Sequence, residues 1–249
     1  MNSTESTKII KINRLTFSYD ESTRPSLTDI NLEIDVGSIT VLIGPSGCGK
    51  TTLCRCMMGV IPKLMKGTLA GDVYLADTEI AQNDDLKIST LSQIIGFVMQ
   101  ETDAQIVMST VEDDLAFGPE NLMVEPEEIR VRVNEILMQM SLDDHATRNP
   151  AHLSGGEKQR LAIGGVLAMQ PDILVFDEPV SNLDAAGKSA FVEQVKILKA
   201  LGKTIVIVEH DFDRLDFADR WVLMKDGAIV CDASPADIPK QLLEYELWI

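Results

Sequence analysis

What this sequence lacks narrows it before any motif is read. No run reaches the roughly 18 apolar residues of a membrane-crossing helix, so no span is expected. Basic residues are scarce: 22 Lys and Arg stand against 39 Asp and Glu, a formal net charge of −17. Nucleic acid is therefore not expected as a partner, because binding a phosphate backbone needs a clustered cationic surface. Only four cysteines occur, Cys48, Cys54, Cys56 and Cys231, none in Cys-x-x-Cys spacing. Reduced thiols are expected rather than a disulfide or a zinc site. The opening residues Met-Asn-Ser-Thr-Glu-Ser-Thr hold no apolar segment, so no secretory leader is expected. What remains is 249 residues of 45% hydrophobic composition, enough for one large domain or two small ones.

The chain is organised around Ser38 to Leu53. Ile39 to Ile43 is a short β-branched run, the pattern of a strand buried on both faces. Gly44 then opens Gly-Pro-Ser-Gly-Cys-Gly-Lys-Thr, and a helix is expected from Lys50 to about Met58. Strand, glycine-rich turn and helix together form a P-loop. Gly44, Gly47 and Gly49 permit backbone angles and close approach that a Cβ would block. The bared N–H groups converge on phosphate oxygens at the positive end of the helix dipole. Lys50 can reach the β- and γ-phosphates, and the Thr51 hydroxyl can ligate Mg2+. Cys48 is either an oxidation-sensitive thiol in the loop or a small packing residue.

Upstream, Lys8 to Tyr19 and Leu27 to Ile34 alternate as half-buried strands and, with Ile39 to Ile43, read as an antiparallel β layer leading into the P-loop strand. Tyr19, one of three tyrosines, ends the first of them, where it could stack on an adenine or simply close the strand's rim. Gly67 to Ile80 reads as strand with turns. Ile94 to Met99 is a buried strand ending at Gln100. Helices are expected over Val111 to Phe117 and Pro126 to Leu142, the second opened by Pro126, Glu127 and Glu128. Its apolar positions, Ile129, Val133, Ile136, Leu137 and Met140, share one face, and Met138 is also read as a packing residue. Leu153-Ser-Gly-Gly-Glu-Lys-Gln-Arg leads into the helix Leu161 to Met169. Ser154 and Glu157 have capping-box spacing, yet two glycines before a helix also present bare N–H groups, an anion site. Further strands are expected at Ile173 to Phe176 and Thr204 to Val208, with the helix Ala185 to Leu201 between them. Arg220 to Met224 and Ala228 to Asp232 form a hairpin, and Pro235 to Leu247 a terminal helix.

Three strands thus end in polar residues: Gln100, Asp177-Glu178 and His210. In a parallel sheet such ends gather at the ligand-binding edge. Asp177 suits Mg2+ or its water shell, and Glu178 can deprotonate an attacking water. His210 can hydrogen-bond the departing γ-phosphate.

With these residues in this order, the chain resembles the ATP-binding subunits of ABC transporters over essentially its full length. Gly44 to Thr51 is similar to their Walker A, Gln100 to the Q-loop and Leu153-Ser-Gly-Gly to the signature motif. Ile173 to Glu178 resembles Walker B with its catalytic glutamate, Ser181-Asn-Leu-Asp184 the D-loop, and His210 the H-loop; Glu157 replaces the commonest Gln of the signature, and Val180 the commonest Thr after Asp-Glu-Pro. The resemblance implies an α/β fold: a P-loop NTPase of the ABC ATPase type, a mixed-sheet core with an antiparallel β layer and an inserted helical subdomain. Residues 1–100 and 171–249 would form the core, and 101–170 the helical part, of a single 1–249 domain. ATP and Mg2+ are the implied ligands. Nucleotide contacts fall to Tyr19, Gly44, Pro45, Ser46, Gly47, Cys48, Gly49, Lys50, Thr51 and Thr52. Ser154, Gly155 and Gly156 act in trans on ATP held by a second ATPase subunit, in a homo- or heterodimer. Glu178, His210 and Gln100 are the implied catalytic residues, and Thr51, Gln100 and Asp177 the Mg2+ ligands.

A narrower resemblance links Gln105 and the run Thr110 to Leu122 to the ATPases of energy-coupling factor (ECF) transporters, a group of cobalt, nickel and vitamin importers. Glu101-Thr102 stands where their Asn-Pro is usual. It implies peripheral attachment to the cytoplasmic face of a membrane and a small substrate-binding membrane protein. An integral membrane subunit would dock near Gln100 to Phe117, on apolar Ile106, Val107, Met108, Leu115 and Phe117 rimmed by Glu112, Asp113 and Asp114. The competing reading is a soluble ABC-type ATPase acting on DNA or ribosomes. It fits less well: the chain has one P-loop, no coiled-coil or zinc insertion, and strong negative charge. A regulatory module without turnover is disfavoured by the presence of Glu178 and His210.

Overall fold

The structure, a computed structural model, describes residues 8–20, 22–181, 183–210 and 215–238. In chain order the strands are β1 (Lys8–Tyr19), β2 (Leu27–Asp35), β3 (Ile39–Ile43), β4 (Gly67–Leu75), β5 (Thr78–Glu79), β6 (Ile95–Val98), β7 (Ile173–Asp177), β8 (Thr204–Glu209), β9 (Arg220–Lys225) and β10 (Ala228–Ala233). The α-helices are α1 (Lys50–Met57), α2 (Val60–Lys63), α3 (Ile88–Leu91), α4 (Thr102–Gln105), α5 (Val111–Asn121), α6 (Pro126–Gln139), α7 (Gly155–Leu167) and α8 (Ala185–Ala200). Two compact units contain them, Met1–Leu91 with Val195–Ile249, and Ser92–Gln194. The expected terminal helix lies mostly outside the described residues, as does Asn182 of the Ser181–Asp184 motif; Pro235 to Asp237 form a turn.

In the first unit β2, β1, β4 and β5 make an antiparallel sheet. β1 buries Ile10, Ile12, Leu15 and Phe17, a spacing that breaks strict alternation between Ile12 and Leu15. A bulge restores it: the pairing register shifts between those two residues, and Arg14 sits at φ 47. Gly71 on β4 faces this bulge, where a Cβ would stand 2.4 Å from the Arg14 carbonyl oxygen. Each buried side chain contributes about 1.5–3 kcal/mol through removal from water, so the bulge preserves the inward face of the strand. β3 does not belong to this layer, contrary to the grouping expected from its neighbours in sequence. It lies parallel between β8 and β9, with β10 antiparallel to β9. Burial on both faces explains the choice, since every residue of β3 and β8 is buried.

The second unit pairs β6 with β7 in parallel and packs α5, α6 and α7 together. Gly96 of β6 is required by contact: a Cβ there would lie 2.2 Å from Val166 of α7. α5 runs past its expected end at Phe117 to Asn121, although Gly118-Pro119 looks like a stop. Pro119 forgoes one backbone bond but is buried, and packing holds the extra turn. α6 ends earlier than expected, at Gln139; Ser141 takes φ 53 and the Leu142 amide returns to the Leu137 carbonyl at 2.8 Å. That left-handed close normally favours glycine, so its sequence signal was weak. Met140 is fully buried, whereas Met138 is 65% exposed, which corrects its reading as a packing residue.

Candidate nucleotide site and its flanking motifs

The P-loop joins β3 to α1 in the first unit. Gly47 and Gly49 take φ 80 and 108, and Gly49 is the N-cap of α1 without any side-chain cap. No side chain caps the start of α1, and a helix start of this kind favours an anion. Gly44 is packed under the hairpin strand β9, where a Cβ would lie 2.2 Å from the Met224 carbonyl oxygen. Lys50 is only 5% exposed and folds back on the loop, its Nζ donating to the carbonyls of Gly44 at 2.6 Å and Pro45 at 3.1 Å. These bonds hold a cation against the amides that would meet the phosphates.

Two long-range contacts brace the loop. The Tyr19 hydroxyl is 3.2 Å from Thr52 Oγ1, and Arg55 Nη1 donates to the same phenol at 3.4 Å. Tyr19 thereby ties the end of β1 to α1. The Gly227 amide, in the β9–β10 turn, donates to the Cys48 carbonyl at 3.0 Å, and its carbonyl accepts from Thr28 at 2.8 Å. Gly227 has φ 80, and a Cβ would lie 2.9 Å from the Ser26 carbonyl oxygen. The sequence marks only a hairpin turn here; no local signal announces the contact with the P-loop. Burial pushes the Cys48 thiol pKa up, with the Lys50 charge opposing. The buried thiol behaves as a packing residue.

β8 in the same unit ends at Glu209 and His210. Glu209 is 2% exposed, and its carboxylate lies 3.9 Å from His210 Nδ1. Glu209 thus stands as the acidic neighbour of the ring, a role that no motif in the sequence marks.

In the second unit the structure brings Gln100 and Glu178 together. Gln100 Nε2 donates to Glu178 Oε2 at 2.8 Å. Glu178 follows Asp177, which is 9% exposed at the end of β7, and has φ 47. A left-handed non-glycine residue stores strain of about 1–3 kcal/mol, and such outliers gather where a side chain must be aimed. The turn is fixed by the Ser181 hydroxyl, which donates to the Glu178 carbonyl at 3.0 Å. Gln159 Nε2 donates to the Pro179 carbonyl at 2.5 Å and connects α7 to this turn. Gln105 ties α4 to the end of β6: its Oε1 accepts from the Met99 amide at 2.9 Å, and its Nε2 donates to the Phe97 carbonyl at 3.3 Å.

Ser154 N-caps α7 in a complete capping box. Glu157 Oε2 accepts from the Ser154 amide and hydroxyl, both at 2.7 Å, while Oε1 is 2.9 Å from His145 Nε2. The capping reading of Ser-Gly-Gly-Glu is therefore correct. It does not account for the glycines: a Cβ at Gly155 would meet nothing within 4 Å. Packing within this chain leaves that position open. A cavity of about 320 Å³ is lined by Gln100, Asp103, Gly155, Lys158, Gln159 and Ser181, among others. Across it Lys158 Nζ donates to Asp103 Oδ1 at 2.6 Å.

The acidic trio Glu112, Asp113 and Asp114 is not uniform. Asp114 is 8% exposed, and its Oδ1 accepts from the amides of Val107 and Met108 at 2.8 and 3.0 Å. It fixes the loop before α5 and is not part of an acidic rim. Leu115 is buried too, while Val107 and Phe117 are exposed. No group of three or more His, Cys, Asp or Glu able to hold a metal occurs among the described residues. Mg2+ takes one or two carboxylates and completes its shell with phosphates and water; the Thr51 hydroxyl in the first unit and the buried Asp177 carboxylate in the second are each oxygen donors of the kind it accepts.

The sequence pattern of the ABC transporter family matches residues 27–181. The chain is 41% identical over 231 residues to an ABC transporter ATP-binding protein of Methanosarcina acetivorans, covering 92% of this chain but 37% of that protein. A Pyrococcus abyssi relative of the same description is 39% identical over 232 residues, with 92% and 82% covered. The chain thus spans little more than a third of the length of the Methanosarcina relative. Among solved structures it is similar to cbiO1 of Clostridium perfringens, part of the ABC transporter complex cbiONQ, at 31% identity and TM-score 0.83, covering 96% of this chain and 92% of that one. It is also similar to the cassette MJ0796, a dimer bound to ADP and phosphate after hydrolysis, at 30% identity and TM-score 0.77, covering 90% and 98%. With an uncapped P-loop helix, a strained Glu178 and a capped Ser-Gly-Gly-Glu segment, the chain has the ABC ATPase P-loop fold and belongs to the ABC transporter family.

Proposed function

We propose that the chain hydrolyses ATP to drive an importer of the ECF type, attached to the cytoplasmic face of a membrane. The observation that carries hydrolysis is the Gln100–Glu178 hydrogen bond at the strained turn after β7. It holds a carboxylate in a fixed direction directly after Asp177, as a general base for water requires. Lys50 and the start of α1 bind the triphosphate, and Tyr19 stacks on the adenine. Thr51, Gln100 and Asp177 would be the Mg2+ ligands, and the ion would neutralise phosphate charge. His210 meets the γ-phosphate. These roles follow the order of motifs along the chain. Ser154, Gly155 and Gly156 serve the nucleotide of a second ATPase subunit, which the open space at Gly155 supports.

The importer reading is supported by similarity to cbiO1. An integral membrane subunit would dock on the segment from Gln100 to Phe117, against exposed Val107 and Phe117 with Glu112 and Asp113 beside them. A small substrate-binding membrane protein completes the assembly. Purified chain should hydrolyse ATP, and Glu178→Gln should keep nucleotide binding while losing turnover by about 10²- to 10⁴-fold. Near-normal hydrolysis by that variant removes Glu178 from the role.

A further inference from the structure

We propose that His145 is a positioning residue for the signature serine: paired with Glu157, it keeps the Ser154–Gly156 helix start both formed and electrically neutral for a nucleotide phosphate. The inference rests on the reading of Ser154 and Gly156 as nucleotide contacts.

The geometry is specific. Glu157 spends one carboxylate oxygen on the Ser154 amide and hydroxyl and the other on His145 Nε2. His145 comes from a different element, the short helical turn Asp143–His145, so the pair also clamps that turn to α7. Both side chains are about three-quarters covered, at 24% and 22% exposure. A carboxylate three residues into a helix is favourable for the dipole but repels an incoming phosphate at the same helix end. A protonated imidazole on its outer oxygen cancels that charge without breaking the cap.

Charge around the ring favours protonation. The Asp144 backbone carbonyl first, then the Glu157 carboxylate, raise the His145 pKa above its ordinary value, while the Arg148 charge opposes. α5 also meets this loop, its Val111 and Glu112 amides donating to the Arg148 and Ala146 carbonyls, and carries the acids Glu112 and Asp113 in its first turn. Glu157 is held down to about 2 by its hydrogen bonds from the Ser154 amide and hydroxyl and then from His145. The carboxylate therefore stays charged throughout the working range, and His145 is the group that switches. Because its folded value is raised, the stabilisation from the pair is complete below the ordinary imidazole pKa and is lost as pH rises through the raised value.

The test uses the full chain, His145→Gln, Glu157→Gln and ATP itself, from pH 6 to 9. In wild type the KM for ATP should rise about three- to tenfold as His145 deprotonates, with kcat changing less. Glu157→Gln, neutral with the cap retained, should show a low KM at every pH. His145→Gln, a neutral donor, should show the high KM at every pH. NMR titration should find the His145 pKa lowered in Glu157→Gln. A pH dependence of KM that survives in both variants, or a His145 titration indifferent to Glu157→Gln, overturns the inference while leaving the ATPase reading intact. A wild-type chain that binds no ATP at any pH overturns both.

Discussion

Replacing Asp114 and Asp113, adjacent acids of one run, should give opposite results. Asp114 is 8% exposed and accepts from two amides, at 2.8 and 3.0 Å. A hydrogen bond to a charged group contributes about 1.5–3 kcal/mol, and a donor stranded by its loss costs about 1–3 kcal/mol. Asp114→Ala should therefore cost on the order of 3–5 kcal/mol. For a chain of this size that is a Tm fall of roughly 10 °C. Asp113 is exposed; its carboxylate accepts from the Thr110 hydroxyl at 2.6 Å, while the cap itself uses the Asp113 backbone amide at 3.2 Å and survives substitution. Asp113→Lys should cost no more than about 1 kcal/mol, mostly unfavourable charge at a helix start. Thermal and urea unfolding followed by circular dichroism measure both. On the proposed docking surface, Asp113→Lys should fold, hydrolyse ATP and yet be released from the membrane subunit. Asp114→Ala melting within about 2 °C of wild type would refute the buried-anchor account. Retention of Asp113→Lys on membranes with uptake intact would remove this surface as the coupling site.

Two further substitutions probe the P-loop. Lys50→Ala removes the cation that bridges the Gly44 and Pro45 carbonyls; ATP affinity by calorimetry should fall by more than about tenfold, and unchanged affinity would deny Lys50 contact with the phosphates. Gly227→Val forces a β-branched residue to φ 80 and drives a Cβ to 2.9 Å from the Ser26 carbonyl oxygen. It should cost about 2–4 kcal/mol in urea unfolding and weaken ATP binding through Cys48, whereas a wild-type melt and affinity would show that the turn does not brace the loop.

Which features could be read in advance follows from how local their causes are. β3, β7 and β8 were legible because burial on both faces writes an unbroken apolar run. The cap of α7 was legible because it is made within four residues, Ser154 to Glu157, but the helix starts at Gly155 rather than at the expected Leu161, its first turn being too polar and glycine-rich to show an apolar period. The β1 bulge was harder, since only the spacing of Ile12 and Leu15 betrays it. Gly227 was out of reach: its reason is a carbonyl at Cys48 and another at Ser26, nearly two hundred residues away. His145 was equally hidden, because its partner Glu157 belongs to another element. Asp114 is the instructive case. A run of three acids looks like a solvated rim, yet helical spacing places residue 114 three beyond buried Val111 and next to buried Leu115. Periodicity pointed inward while residue type pointed outward. Inward wins here because two otherwise unpaired amides at Val107 and Met108 need an acceptor, and a carboxylate satisfying both outweighs its own loss of water.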